Sequence, residues 1–402
     1  MNKIKQTNTH EPFVHIVKRD KLPWWKAWGI RVAAVALSLV LCAIVTKLIV
    51  GVSPLDLFSK FTKGFLGSKN ASIPYNQQFW LTLQQTAILL CIALAITPAF
   101  KMRFWNIGAE GQVMMGCFAS AGTMIAIGKM VKGGEAFSYE LTFLLMFVAA
   151  VLAGAIWAVI PALFKVKWNT NETLFTLMMN YIAIQLTAYF CKEHWSPKNT
   201  SNVVQEINTD VFTESGERYG WLPKLFSDSL TQKGSYPWVS EWLIVVITAV
   251  IITFLVYVYL KYSKQGYELS VVGESENTAR YVGINVSKVV LRTMLISGAL
   301  CGLVGFLLVS GIQHSISTTI VDGRGFTAIM VSWMSKFNPF VMAAVAFLFV
   351  FLDNGASMAA SDLGVNESFS DILTALIIFF IIGCEFFINY KVVFRRHSKK
   401  EA

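Results

Sequence analysis

The segment Phe104-Trp105-Asn106-Ile107-Gly108-Ala109-Glu110-Gly111-Gln112 places a carboxylate and two glycines inside an otherwise apolar run. Residues 79–100 before it and 113–127 after it have the composition of membrane-buried segments, which puts Glu110 at or inside a bilayer edge. A carboxylate there is unfavourable by about 3 kcal/mol or more unless it faces protein or water. Two interpretations follow from the residues: Glu110 lies in the first turn of a helix capped by Asn106, or it lines a polar path.

The composition of the whole chain indicates an integral membrane protein. Of the 402 residues, 55% are hydrophobic and only 14% are charged, whereas soluble proteins carry roughly 25% charged residues. The net charge of +10 is spread over the ends and certain loops, which favours membrane orientation over nucleic-acid binding. Six scattered cysteines without paired spacing are expected to be buried free thiols.

Apolar runs predict an all-α fold, a polytopic membrane protein of about ten transmembrane helices. The predicted spans are residues 30–50, 79–100, 106–128, 141–164, 171–191, 239–261, 289–312, 323–336, 339–356 and 369–390. The eighth span is too short to cross unaided unless it is irregular. Basic residues beside the spans predict that both termini are cytoplasmic.

The same reading divides the chain into three parts. Residues 1–28 form a cytoplasmic leader, residues 29–390 a transmembrane domain, and residues 391–402 a basic cytoplasmic tail. Within the transmembrane domain, residues 192–238 are expected to be an external loop with little regular structure, and residues 262–288 a cytoplasmic loop.

Spans two to five and seven to ten share features that predict an inverted repeat. Gly108 and Gly111 interrupt span three, as Gly323 and Gly325 interrupt the start of span eight. Span five opens on Asn171-Glu172 and span ten on Asn366-Glu367, from opposite sides of the predicted topology. Many transporters build a path at the membrane midplane from such repeats.

Polar residues within or beside the spans are the candidates for a solute path. They are Gln84, Gln85, Asn106, Glu110, Gln112, Asn180, Asp322 and Arg324, with Asp353 and Asn354 as further members. Each one could instead cap a helix or bond between helices. Arg324 is a candidate ionic partner for Glu110.

A second informative stretch runs from Gly266 to Asn285. Ser275 suits a helix N-cap, Glu276 suits the first turn, and Gly283 suits the position after the C-cap. The pattern predicts a helix of about two turns, with Ala279 and Val282 on one face and charges on the other. A solvated linker helix is the simpler alternative.

Several of these motifs resemble the permease subunits of bacterial ABC importers for nucleosides and simple sugars. Seven consecutive residues, Asn106 to Gln112, are similar to the family signature, and Asn171-Glu172 with Asn180-Tyr181 is similar to a second motif. Gly325-Phe326 with Asn338-Pro339 resembles a third, and the nucleoside branch is the better match. Arg324 and the bulky Trp333 depart from the family pattern.

The resemblance implies a transport function and a set of partners. It implies that the cytoplasmic segment couples to an ATPase through Gly273, Glu274, Ala279, Arg280, Tyr281, Gly283 and Ile284. The implied partners are that ATPase, carrying ATP and Mg, a second permease of the same or a paralogous sequence, and an extracytoplasmic substrate-binding lipoprotein. The implied location is the bacterial cytoplasmic membrane, in contact with lipid and not with nucleic acid.

The chain shows no catalytic motif of its own. It contains no Gly-x-x-x-x-Gly-Lys-Ser/Thr phosphate-binding loop, and its five histidines have no ligand spacing. We therefore expect neither an enzyme nor a cofactor on this chain. A simple-sugar permease, an ion-coupled carrier working alone and a membrane scaffold remain the alternatives to a nucleoside permease.

Overall fold

The computed structural model describes residues 14–19, 22–51, 59, 75–195, 203–204, 207–208, 210–212, 218–222, 239–362, 364 and 367–394. The chain forms two compact units, residues 66–351 and residues 1–65 with 352–402. Asn366 of the predicted repeat, and most of the predicted leader, external loop and basic tail, lie outside the described residues.

The described part of the chain is almost entirely helical. Its α-helices are α1 Trp24–Val50, α2 Tyr75–Lys101, α3 Ala109–Lys132, α4 Tyr139–Trp168, α5 Glu172–Phe190, α6 Val239–Tyr262, α7 Lys264–Glu274, α8 Glu276–Tyr281, α9 Val286–Phe306, α10 Arg324–Met334, α11 Pro339–Asp362 and α12 Glu367–Asn389. Short π-helices at Cys191–Trp195 and Leu307–Gln313 extend α5 and α9. The strands are β1 Val14–Lys18, β2 Val203–Val204, β3 Ile316–Ser317 and β4 Tyr390–Phe394.

Nine helices in the described residues are long and apolar enough to cross a membrane. They correspond to nine of the ten predicted spans, so the all-α, multi-pass prediction is confirmed. The exception is the predicted eighth span, where the structure has only the 11-residue helix α10. A helix of that length is about 16 Å long, roughly half of the hydrocarbon thickness.

A non-helical segment completes the crossing that α10 begins. At one end of this segment His314 stacks on Trp221 of the loop, with ring centroids 3.7 Å apart, and β3 pairs with β2. At the far end of α10, Trp333 packs on Phe100, which is next to the basic Lys101. Residues 314–323 and α10 therefore connect the two ends of the larger unit. Non-helical backbone is tolerated at membrane depth where protein covers it, and Ile316 in this segment is fully buried.

Glycines bring three helices of the larger unit into close contact. Gly298, Gly302 and Gly305 of α9 lie between α3 and α4. A Cβ atom at Gly116 of α3 would lie 2.6 Å from the Gly302 carbonyl oxygen, closer than any side chain permits. Spacing of small residues by four is typical of membrane helices whose backbones approach closely.

The smaller unit joins the two ends of the chain. β1 and β4 pair in antiparallel register from Val14 with Phe394 to Lys18 with Tyr390. Beside this sheet, Arg31 of α1 bonds Glu385 of α12 through its Nε at 2.7 Å. Because the strands pair, the described parts of the leader and the tail lie on the same side of this unit. All six cysteines of the chain are free and buried, as predicted.

Candidate functional site

The polar segment, residues 104–112, folds around the side chain of Asn106. The buried Asn106 Oδ1 accepts hydrogen bonds from the Gly108 N–H at 3.1 Å and from Gln112 Nε2 at 3.0 Å. Its Nδ2 approaches Ser297 Oγ of α9 at 3.4 Å. The amide therefore closes a turn just before α3 and ties that turn to a second helix.

Asn180 of α5 fastens the same segment from the other side. Its Oδ1 accepts the Gly111 N–H at 2.8 Å, and its Nδ2 donates to the Ile107 carbonyl at 2.9 Å. The hydroxyl of Thr176, one turn earlier, accepts the Ile107 N–H at 3.2 Å. A Cβ atom on Gly111 would lie 2.9 Å from the Asn180 Cα, so only glycine allows this approach.

The carboxylate of Glu110 caps the short helix α10. Oε1 accepts the Gly323 N–H at 2.9 Å and Oε2 accepts the Gly325 N–H at 2.7 Å. Gly323 is the N-cap residue of α10 and has a left-handed φ of 68°. The N–H groups at a helix start lack partners within the helix and favour negative charge. Glu110, only 5% exposed, thus links the starts of α3 and α10.

The polar junction is the name we give to Asn106, Glu110, Gln112 and Asn180 together with the start of α10. It unites four of the eight predicted path residues through hydrogen bonds to the backbone of the polar segment and α10 and through the side-chain bond from Gln112 to Asn106. Glu110 lies in the first turn of α3, as one interpretation predicted, but the N-cap of α3 is Gly108 and not Asn106. In addition, the carboxylate caps a second helix, α10.

The remaining path candidates are placed differently. Asp322 is exposed and Arg324 is half-buried, one on each side of Gly323. Among the described residues, Arg324 makes no hydrogen bond or close ion pair with Glu110, although its positive charge acts on the carboxylate from a longer distance. Backbone N–H groups occupy both carboxylate oxygens instead.

Gln84 and Gln85 lie on α2. Gln84 is buried, and its Nε2 has no hydrogen-bond partner within the described residues, while Gln85 is half-buried. No hydrogen bond links either glutamine to the polar junction in the part of the chain that the structure describes. Asp353 and Asn354 belong to the smaller unit.

The cytoplasmic-loop prediction is confirmed in its capping details. The Ser275 hydroxyl accepts the Thr278 N–H, which starts α8. At the other end the Gly283 N–H bonds the Arg280 carbonyl and the Ile284 N–H bonds the Ala279 carbonyl. These two bonds form a Schellman motif, with Gly283 at a φ of 82°. The helix has 6 residues, close to the two turns expected.

The faces of α8 differ from the predicted ones. Ala279 is fully buried, whereas Val282 is exposed, so the two do not share an apolar face. One turn of α8 spans 3.6 residues, but Val282 already lies at the C-cap, where the helix ends. A second helix, α7, which the sequence analysis did not anticipate, precedes α8 in the same loop.

The predicted coupling residues divide into a buried and an exposed group. Gly273 and Ala279 are buried, and Ile284 is half-buried. Glu274, Arg280, Tyr281 and Gly283 are exposed, and the ring of Tyr281 is 92% exposed. The exposed group can therefore contact another molecule, while the buried group contacts the rest of this chain.

The buried side of α7 and α8 packs on the polar segment. Ala279 and Val272 share one apolar cluster with Phe104 and with Met102, which precedes it. Gly273 lies against the Lys101 carbonyl so closely that a Cβ atom would not fit. Movement of α7 and α8 would therefore act on the residues that lead into α3.

An adjacent cavity of about 370 Å³ separates α8 from the ends of neighbouring helices. Arg103, Lys165 and Arg280 contribute positive charge to its wall, and Glu172 and Glu276 contribute negative charge. Lys165 and Glu172 form an ion pair at 2.9 Å, which bridges α4 and α5. Arg280 is held loosely, 3.8 Å from Glu276 on its own helix.

Sequence reasoning missed several partners of the polar junction. Thr176 and Ser297 bond the polar segment, but a lone hydroxyl in an apolar span gives no signal beyond its residue type. The glycine series of α9 could have been found, because Gly298 and Gly302 have the four-residue spacing of close helix contacts.

Comparison with known proteins places this sequence in a family. Residues 79–382 match the family described as branched-chain amino acid transport system, permease component. A glucose ABC transporter permease protein of Haloferax volcanii is 29% identical over 381 residues, covering 93% of this chain and 92% of the relative. A guanosine ABC transporter permease protein of Bacillus subtilis is 28% identical over 301 residues, or 75% and 79% of the two chains.

A third relative matches a similar share of this chain. A nucleoside ABC transporter permease protein of Lactococcus lactis is 25% identical over 305 residues, covering 75% of this chain and 78% of the relative. The matched region contains both the polar junction and α8. Because the family match extends over well more than half of the sequence, this multi-pass membrane protein belongs to the permease components of the branched-chain amino acid transport system family.

Proposed function

We propose that this chain forms the membrane path of an ATP-driven nucleoside importer and that a separate ATPase drives it through α8. One observation carries the proposal: α8 exposes Arg280 and Tyr281, while its buried Ala279 belongs to the apolar cluster that contains Phe104, at the start of the polar segment. A partner bound to the exposed side would thus act on the path through this shared apolar cluster.

The contacts continue from the polar segment into the path. Phe104 is two residues before Asn106, which is hydrogen-bonded to Gln112 of α3. Glu110, between them, holds the start of α10. A shift of α8 would therefore reach two helices that begin inside the membrane, which is where transporters place their solute sites.

Charge supports the orientation that the proposal needs. Lys101, Arg103, Lys165 and Lys167 flank the same end of the larger unit as α7 and α8. Positive charge is enriched on cytoplasmic loops, so we place this end in the cytoplasm, with both termini on that side. The opposite end, which carries β2 and β3, would then face the lipoprotein that delivers the solute.

Nucleosides are the preferred solute class, and simple sugars are the second candidate. Two of the three relatives above are named for guanosine or nucleosides. The glucose permease, however, matches 93% of this chain, a broader coverage than either nucleoside permease. Both solute classes are neutral and rich in hydroxyls, which suits a path of amides and exposed backbone groups.

The test is ATP-dependent uptake of radiolabelled guanosine by vesicles containing this chain, its ATPase and its partner permease. Replacing Arg280 and Tyr281 together by Ala should abolish uptake and weaken retention of the ATPase without changing the amount of inserted chain. The matched control replaces Lys264 and Tyr267, which are also exposed but lie on α7, and should leave both readouts unchanged.

Three results would contradict parts of the proposal. Unchanged uptake by the Arg280 and Tyr281 double variant would exclude coupling through α8. Uptake of glucose but not guanosine would select the sugar permease. Uptake by the chain alone under an ion gradient, with no effect of ATP, would identify an ion-coupled carrier instead.

A further inference from the structure

The smaller unit contains a two-stranded sheet whose described apolar side chains are exposed. β1 and β4 pair along five residues each, and the pair nearest to the helices is Lys18 with Tyr390. Ile16 is 61% exposed and its neighbour Val17 is 50% exposed. An isolated two-stranded sheet is at best marginally stable in water, so this sheet needs a further surface to cover it.

The sheet begins where two membrane-spanning helices end. The apolar span of α12 is Asp371–Asn389, and β4 starts at the next residue, Tyr390. The span of α1 is Gly29–Leu48, and Trp25 lies just before it, with Lys26 Nζ 5.1 Å from the ring centroid. Trp25 is exposed, and tryptophan is enriched at the membrane–water interface. This end of both helices therefore lies at the level of the lipid headgroups.

Arg19 fixes the sheet to the end of α12. Its backbone N–H donates to the Asn389 carbonyl at 2.9 Å, and its Nη1 donates to the Phe387 carbonyl at 3.2 Å. The last carbonyls of a helix lack partners within the helix and favour a positive charge. Just before this helix end, Arg31 pairs with Glu385 and joins α1 to α12. The sheet is thus held at the helix ends and cannot move away from the membrane surface without breaking these bonds.

The register of the strands defines the two sides of the sheet. Successive residues of a strand point to opposite sides, and directly paired residues share a side. The tyrosine side is the name we give to the side with Ile16, Lys18 and Tyr390. The opposite side has Val17 and Lys391.

The tyrosine side continues an exposed apolar surface of α12. The ring of Tyr390 stacks on that of Phe386, with centroids 5.4 Å apart and planes tilted by 26°. Phe386, Ile382 and Phe379 follow one another at helical spacing on α12, and all three are exposed. Because these three residues belong to a membrane-spanning segment, the surface that they form is suited to lipid.

The charges of the sheet are all of one sign. The strand sequences Val-His-Ile-Val-Lys and Tyr-Lys-Val-Val-Phe contain no acidic residue. Lys18 and Lys391 are both exposed, and Arg19 follows β1 directly. Basic residues immediately next to a membrane-spanning helix attract anionic phospholipid headgroups. Charge complementarity therefore favours a lipid surface as the partner of this sheet.

We propose that the sheet of β1 and β4 lies along the membrane surface and binds anionic phospholipid, with its tyrosine side towards the acyl chains. Five residues of a strand extend about 17 Å, whereas the headgroup region is only roughly 6 Å deep on each side of a bilayer. A sheet that stood upright would thus carry most of its apolar residues into water. In the flat orientation Ile16 is buried in lipid, and the stem of Lys18 lets its ammonium group reach the phosphates. Lys391, on the opposite side, remains in the headgroup layer.

The experiment compares two neighbouring residues that face opposite sides. Ile16→Cys and Val17→Cys are each labelled with an environment-sensitive fluorophore, because the six native cysteines are buried. The full chain is then placed in phosphatidylcholine vesicles with or without phosphatidylglycerol. In the anionic vesicles, lipids that carry a spin label on the acyl chain should quench the fluorophore at position 16 about twofold more than that at position 17. In phosphatidylcholine alone the difference should shrink.

Lysine variants test the contribution of charge. Lys18→Gln combined with Lys391→Gln should remove the effect of phosphatidylglycerol on quenching at position 16, and added salt should weaken that effect in the unmodified sheet. The matched control is Lys47→Gln, because Lys47 is also exposed but lies in the last turn at the far end of α1. It should leave the quenching unchanged.

Three results would overturn the proposal. Equal quenching at positions 16 and 17 in anionic vesicles would exclude the flat orientation. The same difference between the two positions with and without phosphatidylglycerol would exclude binding of anionic headgroups. Quenching at position 16 that disappears when the ATPase or a second permease is added would show that another protein covers the tyrosine side. The first two results, obtained without a partner or a solute, bear on the sheet alone and leave the proposed transport function standing.

Discussion

The polar junction and α8 are the two regions where polar residues and glycines interrupt the apolar pattern of this chain. In the junction every role found is internal: Asn106, Asn180 and Glu110 bond backbone groups of their own chain and are buried. In α8 the charged and aromatic side chains point outward, and Tyr281 touches little of its own chain. The polar junction therefore serves to stabilise the fold, whereas α8 presents an exposed surface that a partner could bind.

This difference shows that a polar residue inside a membrane protein can either stabilise the fold or form part of a functional site. An intramembrane carboxylate indicates a functional site by default. Here the carboxylate of Glu110 already has both oxygens occupied by the N–H groups of Gly323 and Gly325. Its contribution to transport would come from holding α10 in place and not from contact with the solute.

The largest expected effect tests whether Glu110 holds the start of α10 in place. Glu110→Ala leaves one half-buried and one buried N–H group without acceptors, at about 1–3 kcal/mol each, so we expect a loss of about 2–6 kcal/mol of stability together with loss of uptake. The measurement is the thermal midpoint of the purified chain in detergent. Glu110→Gln keeps one carbonyl acceptor and should fall between the wild type and the alanine variant.

Glu140 is the matched control for Glu110. It also lies in the first turn of a membrane helix, α4, but it is exposed. Both glutamates gain from the helix dipole, whereas only Glu110 caps a second helix. If Glu140→Ala lowered the thermal midpoint as much as Glu110→Ala, the dipole and not the cap of α10 would explain the effect.

The second prediction compares a glycine that lies in a close helix contact with a glycine that has open space around it. Gly302→Ala places a Cβ atom against the Ala150 carbonyl and 3.0 Å from the Val151 Cα, so backbone must move. Overpacking of this kind should destabilise the chain by about 1–3 kcal/mol. Gly383→Ala on α12, where nothing lies within 4 Å, should leave the thermal midpoint unchanged or slightly higher.

The third prediction separates the two sides of α8. Ala279→Leu adds volume inside the cluster with Phe104 and should destabilise the chain by about 1 kcal/mol while impairing ATP-driven uptake. Val282→Leu adds volume at an exposed site and should leave stability unchanged. Equal thermal midpoints for the two variants would show that α8 does not press on the polar segment.

A double-mutant cycle would sharpen that result. Ala279→Leu and Phe104→Ala involve one apolar cluster, so their effects on uptake should not add. Additive effects would mean that α8 reaches the path by another route, for example through the start of α9.

The sequence predicted what depends on local rules and missed what depends on distant partners. Apolar run lengths located the membrane helices, and the Ser275 cap with Gly283 predicted α8 correctly because capping needs only neighbouring residues. The cap of α10 was missed because Glu110 and Gly323 are 213 residues apart. Arg324 looked like the partner of Glu110 because opposite charge is visible in a sequence and backbone N–H direction is not.

The eighth span shows the same limit for secondary structure. Its short apolar run indicated an irregular crossing, yet nothing local fixed where the helix would begin. Asp322 and Gly323 both have left-handed φ values, 55° and 68°, so the chain turns sharply just before α10. Asp tolerates this conformation better than most residues, and the bond from the Gly323 N–H to Glu110 stabilises the turn here.

The smallest expected effect comes from an ion pair whose carboxylate, unlike that of Glu110, is exposed to solvent. Lys132 and Asp210 meet at 2.7 Å on the surface, and the hydrogen bond from Lys132 lowers the pKa of the Asp210 carboxyl. A lowered folded pKa stabilises the protein above the unfolded value of about 3.9, and the gain is lost as the pH falls through the folded value. Between pH 5 and pH 8 the carboxyl is ionised in both states, so its contribution is constant.

Asp210→Asn should therefore leave the thermal midpoint unchanged at pH 7, with or without added salt, because solvent screens an exposed pair. Lys132→Ala should behave in the same way. A drop approaching that of Glu110→Ala would show that the segment around Asp210 is held by this ion pair. The bond from Asn208 Nδ2 to the Met124 carbonyl, at 2.7 Å, gives the reason to expect otherwise, because it anchors the same segment to α3 without any charge.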